Sequence, residues 1–277
     1  PATVEHEGRE YDVIAINGRA LRESKLTSLD FAPDSKITTL RKDSLYCHSL
    51  ERVSLPPQCE KLDRGWCNFT LKLKVIDVPQ DNSNFKVYQG ALYNMNMDVL
   101  YFAPRDIKTF EVLNTVKVIY AYCFEQCRHL RAVTFQDEPI VQKIDPWAFS
   151  HSGLRSFECP DSIETISYDA FFHCHSLKDI TFDEYNSKLK EILISAFKDA
   201  RLTEIKLPRS CKKIAIAAFA DNPKLTKATF CSRDSIVVWR DAFKNCSPDF
   251  KWQGYAGTIV KGKGAPEEWK EADLVDP

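Results

Sequence analysis

A short motif returns nine times between residues 26 and 230: an apolar residue, two variable ones, two apolar residues at alternating positions, and often a proline. It reads Leu26-Thr-Ser-Leu29-Asp-Phe31, Leu50-Glu-Arg-Val53-Ser-Leu55-Pro56 and Leu73-Lys-Val-Ile76-Asp-Val78-Pro79. It continues at Ile107/Phe110/Val112, Leu130/Val133/Phe135, Leu154/Phe157/Cys159-Pro160, Leu177/Ile180/Phe182, Leu202/Ile205/Leu207-Pro208 and Leu225/Ala228/Phe230. Successive copies start 24, 23, 34, 23, 24, 23, 25 and 23 residues apart. The one long step places an insertion of about eleven residues between Val78 and Ile107. A second element follows most copies, an apolar residue and then an Ala-Phe-like pair. It appears as Ile144 with Ala148-Phe149, Ile166 with Ala170-Phe171, Ile192 with Ala196-Phe197 and Ile214 with Ala218-Phe219. Val238 with Ala242-Phe243 and Ile119 with Cys123-Phe124 keep the spacing, and Leu40 with Ser44-Leu45 and Leu62 with Trp66-Cys67 are degenerate members.

These periods dictate a solenoid. Apolar residues at alternating positions make a short strand with one buried face. A proline directly after it lacks a ladder donor and turns the chain outward. The Ile-to-Ala-Phe stretch has near-helical spacing and returns the chain along a convex side, with Ala where coils approach and Phe filling the interior. No single coil buries both faces, so coils must stack. A period near 23 falls in the leucine-rich-repeat range. The expected fold class is therefore α/β: a right-handed leucine-rich-repeat solenoid with one parallel sheet on its concave face and short helices or turns on its convex face. Nine strands at ~4.8 Å give a sheet roughly 40 Å long. Tyr11/Ile14/Ile16 repeat the strand spacing and predict a tenth, capping strand over 11–16. The expected segments are a cap over 1–25, the solenoid over 26–250 with an inserted β-hairpin at about 80–106, and a closing segment over 251–277. The hairpin is expected to project from the solenoid and to turn near Asn94–Asp98, where Asn and Asp favour tight turns.

The unit L-x-x-[IV]-x-[LF]-P … I-x-x-x-A-F-x-x-C resembles the BspA-like, or Treponema-type, leucine-rich repeats of bacterial and protist surface proteins. The insertion is similar too: Asn84-Phe85-Lys-Val-Tyr-Gln-Gly90-Ala-Leu92-Tyr93-Asn94, then Val99-Leu-Tyr101-Phe-Ala-Pro104, looks like that family's recurrent hairpin. Gly254-Tyr255-Ala256-Gly257 resembles its closing segment. The likeness covers about residues 11 to 257. It implies extracellular attachment to a protein partner, a host matrix or cell-surface protein, and no catalytic activity. This chain departs from the simplest members in carrying more Cys, Lys and bulky residues, which leaves room for an intracellular scaffold of the same architecture. The chain opens at Pro1 without an initiator Met, charged n-region or apolar h-region, and so reads as a mature or partial chain. A signal peptide or anchor outside it would separate the two readings.

Composition excludes several classes. The 38 basic and 39 acidic residues are interleaved, so there is no basic domain or stripe of the kind a nucleic-acid binder presents. Apolar runs such as Ile214–Ala220 are far below the ~18 residues of a membrane span. No phosphate-cradling glycine loop, nucleophile elbow or paired metal-ligand motif is present, so no cofactor is expected. Of the ten cysteines, Cys59, Cys67, Cys123, Cys159 and Cys211 sit in apolar columns and read as core thiols. Cys47, Cys127, Cys174 and Cys246 fall in the turn after the Phe column; only Cys47 and Cys67 stand where they could meet, and the thiols are expected to be reduced. His173-Cys174-His175 mimics a metal-ligand fragment, but adjacent side chains in it are expected to point in opposing directions, and the three read as ordinary turn residues. Asn68-Phe69-Thr70 is a glycosylation sequon, with Asn68 the candidate acceptor.

Rigid scaffolds bind through exposed columns. The candidate protein-binding residues are therefore the outward strand positions: Asp30, Asp77, Glu111, Thr134, Glu158, Thr181 and Lys206 in one column, and Arg52, Asp179, Glu204 and Lys227 in the one before it. The first column is acid-rich through Glu158 and turns basic at Lys206. Both lack aromatic anchors, which argues for a polar protein partner and against a sugar-stacking face. The bland alternative is an ordinary solvated sheet.

Overall fold

The computed structural model describes residues 2–254 except 233 and 240, together with the backbone of the strand Ile259–Lys261. The chain divides into two compact units, Pro1–Asp106 and Ile107–Pro277.

The first unit opens with an antiparallel hairpin, Thr3–His6 against Arg9–Asp12, in register His6↔Arg9. The expected capping strand over 11–16 does not form. Tyr11 and Ile14 are 48% and 67% exposed. The reason is local: Glu7 and Gly8 both hold positive φ, 51° and 73°, the backbone of a two-residue hairpin turn, and it folds Arg9–Asp12 back on the first strand. The motif strands Ser28–Leu29, Arg52–Ser54 and Val75–Asp77 then pair in parallel. A second parallel pair, Thr39–Leu40 with Lys61–Leu62, lies within the same coils.

The insertion in this unit is a three-stranded antiparallel meander: Phe85–Tyr88, Ala91–Asn94 and Val99–Phe102. Its first turn uses Gln89 and Gly90 at φ 51° and 78°. Its second is held by Asn94, whose side-chain oxygen accepts from the backbone N–H groups of Asp98 and Val99, both at 3.0 Å. The meander does not project. Phe85, Leu92 and Phe102 are buried in one cluster with Leu50, Val53, Leu73 and Ile76. Its strands are rich in apolar residues, with Ala91, Leu92, Tyr93, Leu100 and Phe102 all buried, so the meander has to be covered.

In the second unit all six motif sites carry strands, but in three hydrogen-bonded sets rather than one sheet. Thr109–Val112 pairs with Ala132–Phe135, Ser156–Glu158 with Asp179–Thr181, and Glu204–Leu207 with Lys227–Phe230, which also pairs with Lys251–Gly254. Within each set the motif step is 23 residues, and the breaks fall where it lengthens to 24 and 25. The extra residues shift the strands out of ladder register.

The uninterrupted ladder runs through the second element instead. Val118–Ile119, Lys143–Ile144, Thr165–Ile166, Glu191–Ile192, Lys213–Ile214, Ile236–Val238 and Ile259–Lys261 pair in parallel, one after another. The helical expectation fails after each of them: among the described residues there is no helix. The residue before each Ala-Phe pair and the one two after it both adopt left-handed φ, as at Trp147 (54°) and His151 (57°), Asp169 (53°) and His173 (55°), and Ser195 (53°) and Asp199 (54°). A left-handed residue every fourth position interrupts the α-helical path. The backbone donors therefore alternate. Phe149, Phe171 and Phe197 N–H reach the carbonyls of Ala170, Ala196 and Ala218 in the next coil at 2.7–2.8 Å. The intervening N–H groups close local turns, as Ala148 does to Asp145 and Ser150 to Trp147.

That inter-coil ladder sets the core. Phe124, Phe149, Phe171, Phe197, Phe219 and Phe243 stack ring on ring, with centroids 4.8–5.2 Å apart and planes within 13°. The spacing is that of neighbouring strands, so the backbone repeat imposes the stack. The first five of these rings are fully buried.

Candidate functional site

In the first unit the outward strand positions are paired with one another. Arg52 donates from Nη1 to Asp30 at 2.8 Å, and its Nε lies 2.7 Å from Asp77 Oδ2. One guanidinium thus ties two carboxylates across three strands, and these pairings hold its pKa above the ordinary arginine value. Asp30 and Asp77 thus share one positive charge.

Asn68 is 9% exposed, and its amide nitrogen donates to Asp43 Oδ1 at 3.0 Å. Thr70 is buried as well, with its hydroxyl donating to Cys67 O at 2.6 Å. A glycan on that nitrogen would have to displace the bond to Asp43.

In the second unit the parallel register sets Glu111 beside Thr134, Glu158 beside Thr181, Glu204 beside Lys227 and Lys206 beside Thr229. Asp179 stands beside Ser156. Glu111, Thr134, Glu158, Asp179, Thr181, Glu204 and Lys206 are exposed, and Lys227 is half-buried. Lys206 is engaged: its ammonium lies 2.8 Å from Glu184, whose other oxygen meets Arg209 at 3.2 Å. Glu111 receives only the Gln136 amide, at 3.4 Å. Among the described residues neither Glu111 nor Glu158 forms an ion pair. Glu158 stands in the wall of a cavity of about 620 Å³, bounded by Gln136–Pro139 and Cys159–Ser162. Burial, then the charges of Asp183 and Glu158, push the Asp161 carboxyl above its usual range, against an opposing pull from Lys188. The cavity is electronegative.

A further column lies at the second left-handed residue of each turn: Gln126, His151, His173, Asp199, Asp221 and Asn245. Cys174 is buried, while His173 and His175 on either side of it come together at the surface. His173 Nδ1 lies 2.5 Å from Asp199 Oδ2, His175 Nε2 lies 3.1 Å from the same oxygen, and the two nitrogens are 3.2 Å apart. The left-handed turn at His173 swings both rings to one side, onto the carboxylate of the next coil. His151 stacks on His173, with centroids 4.9 Å apart and planes at 18°. Burial first, then the neighbouring charges of His173, His175 and Arg128, lower its pKa. Beside these rings opens a cavity of about 400 Å³ that also touches Arg128. Aligning the repeats places His151, His173 and Asp199 in one column, and that signal was available in the sequence. The geometry that joins them to His175 was not.

All ten cysteines are free thiols, nine of them buried. Burial pushes the thiols of Cys174 and Cys211 up to about 12 and that of Cys59 to about 11. Such thiols carry little thiolate and are inert to oxidation and metal. Cys174 has a packing task, donating to the carbonyl of Phe149 in the preceding coil at 3.0 Å.

Short parallel strands, a stacked aromatic column and exposed outer positions, repeated coil after coil, define a leucine-rich-repeat solenoid. Six copies of the family described as BspA type leucine rich repeat region match residues 9–98 and 95–226, and the chain belongs to that family. A solved leucine-rich repeat protein from Eubacterium ventriosum is 18% identical, with a TM-score of 0.60 over 87% of this chain and 67% of that one. A leucine rich cell surface protein from Faecalibacterium prausnitzii is 18% identical, with a TM-score of 0.57 over 87% of this chain and 62% of that one. At such identities the likeness is one of fold. No curated protein matches the chain. No helix among the described residues is long and apolar enough to cross a membrane.

Proposed function

We propose that this chain is a non-catalytic protein-binding module whose ligand surface centres on Glu111 and Glu158 in the second unit, with Thr134 and Thr181 beside them. The observation that carries the reading is the contrast in pairing. Asp30 and Asp77 each pair with the Arg52 guanidinium and Glu184 with Lys206 and Arg209, whereas Glu111 and Glu158 are held on their strands without a cation partner. Glu158 also opens onto the acidic cavity. Carboxylates of this kind steer a basic partner and make association salt-sensitive. The partner class is a protein segment rich in Lys and Arg. A cell-surface or secreted location is the reading the family supports, and inert buried thiols suit an oxidising exterior as well as a reducing interior. Adhesion to a host matrix or cell-surface protein is the finer form of this reading.

The test is selection of a displayed random-peptide library on the whole chain. Selected peptides should be enriched in Lys and Arg and should bind more weakly as salt rises. Glu111→Lys with Glu158→Lys should weaken binding at least about tenfold, the scale of a lost close charge pair, with an unchanged melting temperature. Selected peptides without basic enrichment, or indifferent to the double reversal, would overturn the site.

A further inference from the structure

The geometry points to a second site: His173, His175 and Asp199 form a three-ligand centre for a divalent transition-metal ion of the zinc type. Three donor atoms of the appropriate kinds already converge, all within 4.8 Å of one another. A zinc ion takes imidazole nitrogen at about 2.0–2.1 Å and carboxylate oxygen at about 2.0–2.2 Å, so tetrahedral donors stand about 3.3 Å apart. The two nitrogens are 3.2 Å apart, and His175 Nε2 is 3.1 Å from the carboxylate oxygen. Only the 2.5 Å contact of His173 with Asp199 has to open, by less than about 1 Å.

The ligands are held by backbone rather than by flexible loops. His173 N–H bonds to Lys198 O in the next coil at 3.1 Å, and Asp199 N–H to Ala220 O at 3.0 Å, so two ligands ride on adjacent rungs of the ladder. The His151 ring stacked on His173 fixes that imidazole's plane, as outer groups do in metal sites. The donor set of two imidazoles and one carboxylate suits zinc, nickel or copper better than the hard ions calcium and magnesium. All three side chains are partly exposed, at 31%, 58% and 37%. The remaining position opens to solvent for a water or for a ligand from outside the chain. The site lies on the left-handed turns and owes nothing to the strand columns proposed to bind protein.

Titration of the whole chain with zinc chloride, followed by calorimetry and thermal melting, tests the assignment. One equivalent should bind with micromolar affinity or better and raise the melting temperature, because the ion binds the folded state. His175→Ala and Asp199→Asn should each weaken binding at least about tenfold, the loss seen even for outer-shell partners, while His129→Ala leaves it unchanged. Melting of each variant without metal reports whether it still folds. Cobalt in place of zinc should give visible bands without the sulfur charge-transfer absorption that thiolate ligation produces. Zinc binding that survives both ligand substitutions, a cobalt spectrum showing thiolate, or no metal-dependent rise in melting temperature would overturn the assignment.

Discussion

The two units carry the same repeat but fill their turns differently. In the second, six phenylalanines stack from Phe124 to Phe243. In the first, the same positions hold Leu45 and Cys67, with the buried Trp66 beside Cys67. The inter-coil backbone bond persists nonetheless: Leu45 N–H meets Trp66 O at 3.1 Å, as Phe171 N–H meets Ala196 O at 2.7 Å. Asp43 and Gly65 supply the positive φ there, at 58° and 77°. The turn is thus specified by its backbone dihedrals, and the side chain filling it is an interchangeable packing choice. The units differ again on their outward strands. Arg52 pairs with both of its acidic neighbours in the first, whereas Glu111 and Glu158 stay without an ion pair in the second.

Removing a stacked ring should have the largest effect. Phe171→Ala takes a fully buried side chain from between two rings and should cost about 3–5 kcal/mol in chemical denaturation. Phe171→Leu keeps an apolar filler but loses both stacked pairs, each worth about 0.5–1.5 kcal/mol beyond burial. It should fall between wild type and the alanine variant. Equal losses for the two would mean the rings matter as a stack rather than as volume, and the comparison with Leu45 would break.

The next largest effect concerns Asp169, at the left-handed position before Ala170. Burial raises its carboxyl to about 7 from 3.8, against a weaker pull from Lys198. A raised folded-state pKa means the folded chain holds the proton more tightly than the unfolded one. The associated stability is complete below about pH 4 and is lost as pH climbs toward 7. Asp169→Asn tolerates the left-handed backbone and should flatten that slope, so its melting temperature at pH 8 should exceed that of wild type. An unchanged profile would show that the carboxyl ionises freely in the fold.

Arg52→Ala should have the smallest effect. Its pairs with Asp30 and Asp77 are exposed, and solvent screens them. The substitution should hardly move the melting temperature, yet it should leave the first unit's strand face as unbalanced as the second's. Basic peptides gaining affinity for this variant would sharpen the contrast drawn between the units.

The family, the strand sites and the buried Phe column were legible in the sequence, because hydrophobic periodicity reports which residues must leave water. The same periodicity could not distinguish a helix from left-handed turns. A spacing of five residues from Ile to Phe fits either, and the choice was made by carbonyls on the next coil that accept the Phe N–H groups. Nor could it show which charges would be free. Glu158 and Asp77 occupy equivalent motif positions, and only the reach of Arg52 separates them. The pairing of His173 and His175 with Asp199 was hidden for the same reason. Sequence order determines which residues share a column, but the backbone dihedral at each turn decides which way their side chains face.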